Sequence, residues 1–106
     1  MNGPTTLGAL ARTLRSKNAG VDLVTFDIFF EDASGLARVL GSDVLTPGSV
    51  AQLYSCEPDD VVNFVVMPRI NAIKITVRRA VSSGRPGDSD VFGAQQYALL
   101  GALVVP

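Results

Sequence analysis

Hydrophobic positions along this chain change period several times, and each change predicts an element. Near the start, Leu7, Leu10, Ala11 and Leu14 recur at the i, i+3, i+4, i+7 spacing of one helix face. The pattern predicts a helix over 4–17, capped by Thr5 or Thr6. Arg12, Arg15 and Lys17 fall in its last turns, where cations complement the helix dipole, and Asn18 or Gly20 supplies a left-handed closing residue. At 21–30 the period drops to two. Val24, Phe26, Ile28 and Phe30 share one face, while Leu23, Thr25, Asp27 and Phe29 share the other. Large apolar groups on both faces predict a central strand covered on both sides. Asp27 is the exception, because a carboxylate within an apolar strand needs a partner.

Residues 32–40 predict a second helix with Leu36, Val39 and Leu40 facing inward, weakened by Gly35 and stopped by Gly41. Thr46-Pro47 reads as the N-cap and first position of a third helix, with Val50, Leu53 and Tyr54 as its stripe. Residues 57–60 form a turn, 61–67 an almost uniformly apolar strand, and Pro68-Arg69 a break. In 71–79, Ile73, Ile75 and Val77 alternate with Lys74, Thr76 and Arg78, the pattern of a strand with one buried and one polar face. A loop over 81–90, a short irregular stretch over 91–97 and a fourth strand over 99–105 complete the chain. The order α-β-α-α-β-β-β predicts an α+β two-layer sandwich: a mostly antiparallel four-stranded sheet with helices on one face. It is related to the ferredoxin-like arrangement but atypical in order, with a doubled helix and no helix before the last strand.

The chain's 106 residues fit one domain, 1–106. A hydrophobic fraction of 47% against 18% charged argues for a packed core, and the low charge points to some apolar surface covered by another chain. A net charge of -1 leaves no broad basic field for nucleic acid or an acidic membrane. Cys56 is the single cysteine, so no intrachain disulfide is expected, and it reads as a small buried hydrophobe in a reducing cytoplasm. With no histidine, the commonest proton shuttle and zinc ligand is missing, and neither a metal nor a cofactor is expected. No signal-peptide pattern opens the chain and no apolar run reaches the roughly 20 residues of a bilayer span, so a cytoplasmic location is expected.

Three constellations carry candidate chemistry. In the corner Ser16-Lys17-Asn18-Ala19-Gly20, Lys17 brings a compact positive charge, Ser16 and Asn18 bring donors, and Gly20 lets backbone N–H groups turn toward a ligand. The corner could bind a carboxylate or phosphate, or serve only as a helix stop with solvated cations. In the second, Arg85 could clamp a carboxylate, Asp88 and Asp90 could orient Arg85 or Lys17 or bind a hard cation, and Gln95 and Gln96 lie nearby; the plain alternative is a turn-rich connection. It lacks the Gly-Lys-Ser/Thr ending of a Walker loop and the late Glu of an EF-hand. The third is a sheet face. If 21–30 and 71–79 are neighbours, Asp27 lies beside Lys74 or Arg78 as an ion pair, and Phe29 among the charges favours a covered interface. No serine stands beside an activating histidine, and no carboxylate pair stands out, so catalytic residues are not assigned.

Arg15-Ser16-Lys17-Asn18-Ala19-Gly20, Thr25-Phe26-Asp27-Ile28-Phe29-Phe30, Ala72-Ile73-Lys74-Ile75-Thr76 and Gly87-Asp88-Ser89-Asp90-Val91-Phe92-Gly93-Ala94-Gln95-Gln96 together resemble one bacterial family, domain of unknown function 4387. The resemblance runs from about Leu7 to Pro106. It implies a small companion of acyclic terpene utilisation proteins, standing beside such a protein or fused to it, in the catabolism of branched or terpenoid acids. Relatives carry Pro after the Asn-Ala-Gly triplet and His after Gln-Gln, where this chain has Val21 and Tyr97. The expectation is an accessory subunit supplying Lys17, Asn18 and Arg85 to a shared acid-binding site, for a hydratase, lyase or isomerase step on a carboxylic acid or its CoA thioester. The alternative is a non-catalytic interaction module or homodimer stabilising a larger partner, with Asp27, Phe29, Lys74 and Arg78 at the interface. A free-standing enzyme fits least.

Overall fold

The computed structural model describes residues 3–20, 22–78 and 97–106. Its centre is a four-stranded antiparallel sheet of β2 (Ala11–Asn18), β3 (Leu23–Phe30), β4 (Val61–Met67) and β5 (Ala72–Arg78), in the spatial order β2-β3-β5-β4. Helices α1 (Leu7–Leu10), α2 (Ala33–Gly41), α3 (Pro47–Leu53) and α4 (Tyr97–Gly101) supply Leu7, Leu36, Val39, Val50 and Leu100 to one core with Phe26, Ile28, Ile73 and Ile75. All the described helices therefore pack on one face of the sheet, as an α+β sandwich requires. A small second ribbon pairs β1 (Thr5–Thr6) with β6 (Val104–Val105), and the Leu7 N–H donates to the Leu103 carbonyl at 2.8 Å.

The sheet is two hairpins laid side by side, with β3 against β5 at its centre. The three pairings of this sheet are all antiparallel, and two of them join strands consecutive in the chain, so the connectivity departs from the ferredoxin-like arrangement, which has one such hairpin. The central position of β3 follows from its composition: strands on both sides satisfy its backbone, and its Phe26 and Ile28 are buried against the helices.

Two elements differ from the sequence pattern. The expected helix over 4–17 ends after Leu10, and Ala11–Asn18 is a strand with a bulge between Ala11 and Thr13. The helical stripe was real in spacing, but helix propensity is a weak bias, and β3 needed a hydrogen-bonding neighbour along its outer edge. Leu14 still points inward, where it lies 3.2 Å from the position a Cβ on Gly101 would take. The expected strand over 99–105 is a helix through Gly101, then the two-residue β6 outside the main sheet. Short apolar runs do not separate helix from strand by period. Here Gly8 and Gly101 decide the geometry: a Cβ on Gly8 would sit 3.2 Å from the Gly101 carbonyl oxygen, so α1 and α4 cross at backbone contact.

The remaining elements follow the pattern closely. Asp32 caps α2 by accepting from the Ser34 and Gly35 N–H groups. Thr46 caps α3 with Pro47 in its first turn. Pro68–Ile70 is a short 3-10 turn closing the β4–β5 hairpin, with Asn71 left-handed at φ 52°. Arg38 on α2 donates to the backbone oxygens of both Gly3 (2.6 Å) and Pro106 (3.2 Å), tying the two ends of the described chain to one helix.

Candidate functional site

Strand alternation sorts the candidate residues onto two faces. Direct cross-strand pairs share a face. Ser16 pairs with Phe26 and Asn18 with Val24, so both look toward the helices; Ser16 is buried and Asn18 half-buried. Lys17 pairs with Thr25 and Arg15 with Asp27, so both cations look the other way. The corner is the turn of the β2–β3 hairpin rather than a helix stop. Its Ala19 N–H donates to the Leu23 carbonyl at 2.8 Å, and Gly20 holds φ +131°. The structure thus separates Lys17 from Ser16 and Asn18 onto opposite faces of the sheet.

The face away from the helices is built from Arg15 and Lys17 on β2, Leu23, Thr25, Asp27 and Phe29 on β3, and Lys74, Thr76 and Arg78 on β5. Its edge on β4 carries Asn63, Val65 and Met67, opposite Thr76, Lys74 and Ala72. At the centre, Thr25 and Thr76 face each other with hydroxyls 3.3 Å apart, both residues buried. Asp27 and Lys74 stand directly opposite, yet the ion pair that Asp27 forms runs to Arg15, at 3.5 Å. Arg78 pairs with Asp60 at 3.3 Å. The expected Asp27–Lys74 or Asp27–Arg78 pair is therefore replaced by a contact to a strand that the periodicity had read as helix. Arg15 is 62% exposed against 16% for Asp27, so the pair is worth no more than about 1 kcal/mol. The Arg15 guanidinium also lies 5.6 Å from the Phe29 ring centroid, within cation–π range.

This face mixes cations with apolar groups, and no described helix rests on it. Among the described residues, no group of three or more His, Cys, Asp or Glu side chains is placed to hold a metal ion. Cys56 is half-buried, and its thiol is pushed up by desolvation, then by the Asp60 and Glu57 carboxylates, which disfavours a thiolate. Arg85, Asp88, Asp90, Gln95 and Gln96 lie outside the described residues. The sequence reading missed Arg15 as the partner of Asp27 and Val65 as part of the face. The alternation of Leu14, Ser16 and Asn18 with Arg15 and Lys17 was the available signal for the first. The uniform apolarity of 61–67 concealed the second.

The chain belongs to the family described as Domain of unknown function (DUF4387), which matches it over residues 7–103. No match was found among curated proteins, and none among solved structures. No helix among the described residues is long and apolar enough to cross a membrane.

Proposed function

We propose that this protein is the small accessory subunit of a two-component cytoplasmic enzyme, docking through the sheet face that no described helix covers on a larger acyclic terpene utilisation-like protein. The observation that carries the reading is the composition of that face: Leu23 and Phe29 towards the two ends of β3 and Val65 on β4 stand among Arg15, Lys17 and Lys74, with Thr25, Thr76 and Asp27 between them. A surface of that kind is stabilised by a partner that buries the apolar groups and neutralises the charges. The sequence resemblance supplies the partner's class and the substrate class, a carboxylic acid or its CoA thioester. Lys17 is the residue of the corner that the face presents to such an acid.

A second reading is favoured by one observation: alternation turns Ser16 and Asn18 away from Lys17. The corner then contributes no assembled anion site, and the protein is a non-catalytic module that stabilises its partner. Co-expression with the larger protein separates the two. Phe29→Asp is expected to weaken co-purification by about 2 kcal/mol, roughly thirtyfold, because it replaces a large apolar group of the docking face with a carboxylate. Lys17→Ala is expected to leave assembly intact while reducing binding of carboxylate and acyl-CoA probes in a thermal-shift screen of the complex. A silent Lys17→Ala establishes the module instead, and full capture by Phe29→Asp rejects docking through this face.

A further inference from the structure

The sheet has two edges, β2 and β4, and they are guarded differently. β2 carries Arg12, Arg15 and Lys17, whose charges discourage another strand from pairing there. β4, Val61–Met67, carries no charge and no proline in its 7 residues, and among the described strands it pairs only with β5. Its apolar surface is unfinished on both sides. Phe64 and Val66 are only half-buried against the core, while Val62 and Val65 are 43% and 39% exposed; Ile70, just beyond, is 54% exposed. The bulge that irregularises this strand sits at its start, between Val61 and Asn63, leaving Asn63 to Met67 in regular register.

We infer that this edge is the seat of a homodimer, in which β4 pairs antiparallel with β4 of a second copy about Val65 and joins the two sheets into one. In that register Val65 meets Val65, Phe64 meets Val66, and Asn63 meets Met67 of the other copy. Residues of like parity meet, so the helix-covered faces adjoin and the half-buried Phe64 and Val66 complete a shared core. A two-fold interface must be complementary to itself, and an uncharged strand sets no like charges against each other across the axis. Self-pairing of β2 would instead crowd its cations against their copies. Among the described residues nothing pairs with the outer backbone groups of β4 and Val62 and Val65 are exposed; in the dimer the backbone groups gain partners and the valines are covered. The inference does not rest on the docking reading above: it concerns the backbone edge of β4, although Val65 borders both surfaces.

Light scattering and native mass measurement of the isolated chain test it. The expected mass is twice 11.1 kDa. Val65→Lys is expected to raise the dimer dissociation constant about tenfold or more, by opposing two ammonium groups across the axis. It is also expected to speed amide exchange within Val61–Met67 while Ala72–Arg78 stays protected. Asn63→Lys decides the matter if circular dichroism shows Val65→Lys unfolded. A monomer at every concentration overturns the inference. So does a dimer that withstands both lysines, or one dissolved by Phe29→Asp alone. Edge amides protected only when the larger protein is present would assign β4 to that protein instead. Failure to capture the larger protein leaves the dimer mass unchanged, so the two readings fail separately.

Discussion

At the scale of single residues, Tyr54 shows how burial turns into a measurable property. Its ring packs 5.1 Å from Phe26, centroid to centroid, at 35°. Burial pushes its hydroxyl well above the ordinary tyrosine value of about 10, opposed only in part by a hydrogen bond with the Leu100 backbone. The folded state therefore holds the neutral phenol where the unfolded chain would ionise. The resulting stability is fully present below about pH 10 and is lost as the pH rises beyond it. Urea midpoints of the wild type should fall across this alkaline range, and those of Tyr54→Phe should fall less. At neutral pH the same variant should lose about 1 kcal/mol with the hydrogen bond. Tyr54 was legible as part of an inward stripe. Its pairing with Phe26 was not, because that contact joins α3's end to β3 across the core.

At the scale of elements, local chemistry decides boundaries where it is strong and yields where it is weak. Thr46 accepts from the Ser49 N–H at 3.0 Å while its own N–H donates to the Ser49 hydroxyl at 2.9 Å, a reciprocal cap at the start of α3. Thr46→Ala should lower stability by about 1 kcal/mol, with Thr46→Ser retaining most of it, as read by chemical denaturation. Gly20 holds φ +131° in the β2–β3 turn, a conformation that side chains rarely adopt. Gly20→Ala should cost about 1 kcal/mol although a Cβ there would meet nothing within 4 Å, so the loss would be conformational. Thr46-Pro47 was readable from the sequence because cap and helix start are neighbours along the chain. Ala11–Asn18 was misread because its apolar spacing suits a helix, and only β3 beside it favours a strand.

At the scale of the whole molecule, the sheet order creates two surfaces of different character. One is a cationic and apolar face around Phe29, the other an uncharged edge along β4. Phe29→Asp and Lys17→Ala address the face, and Val65→Lys addresses the edge where Val65 borders that face. Arg38 adds a cohesive element, because one side chain on α2 holds both Gly3 and Pro106. The Asp27 problem was visible from its place in an apolar strand, and the opposition of Asp27 to Lys74 was anticipated on condition that β3 and β5 are neighbours. The identity of its ion partner depended on which strand lay on the other side.

Alone, the amino-acid order determined the α+β class, the two-faced β3, the cap of α3 and the alternation of β5. Each rests on periods and neighbours within a few residues. Tertiary structure decided that Ala11–Asn18 pairs as a strand, that Lys17 parts from Ser16 and Asn18, and that β4 lies at an edge. These outcomes turn on which backbone groups find partners across the sheet, a choice made between segments far apart along the chain.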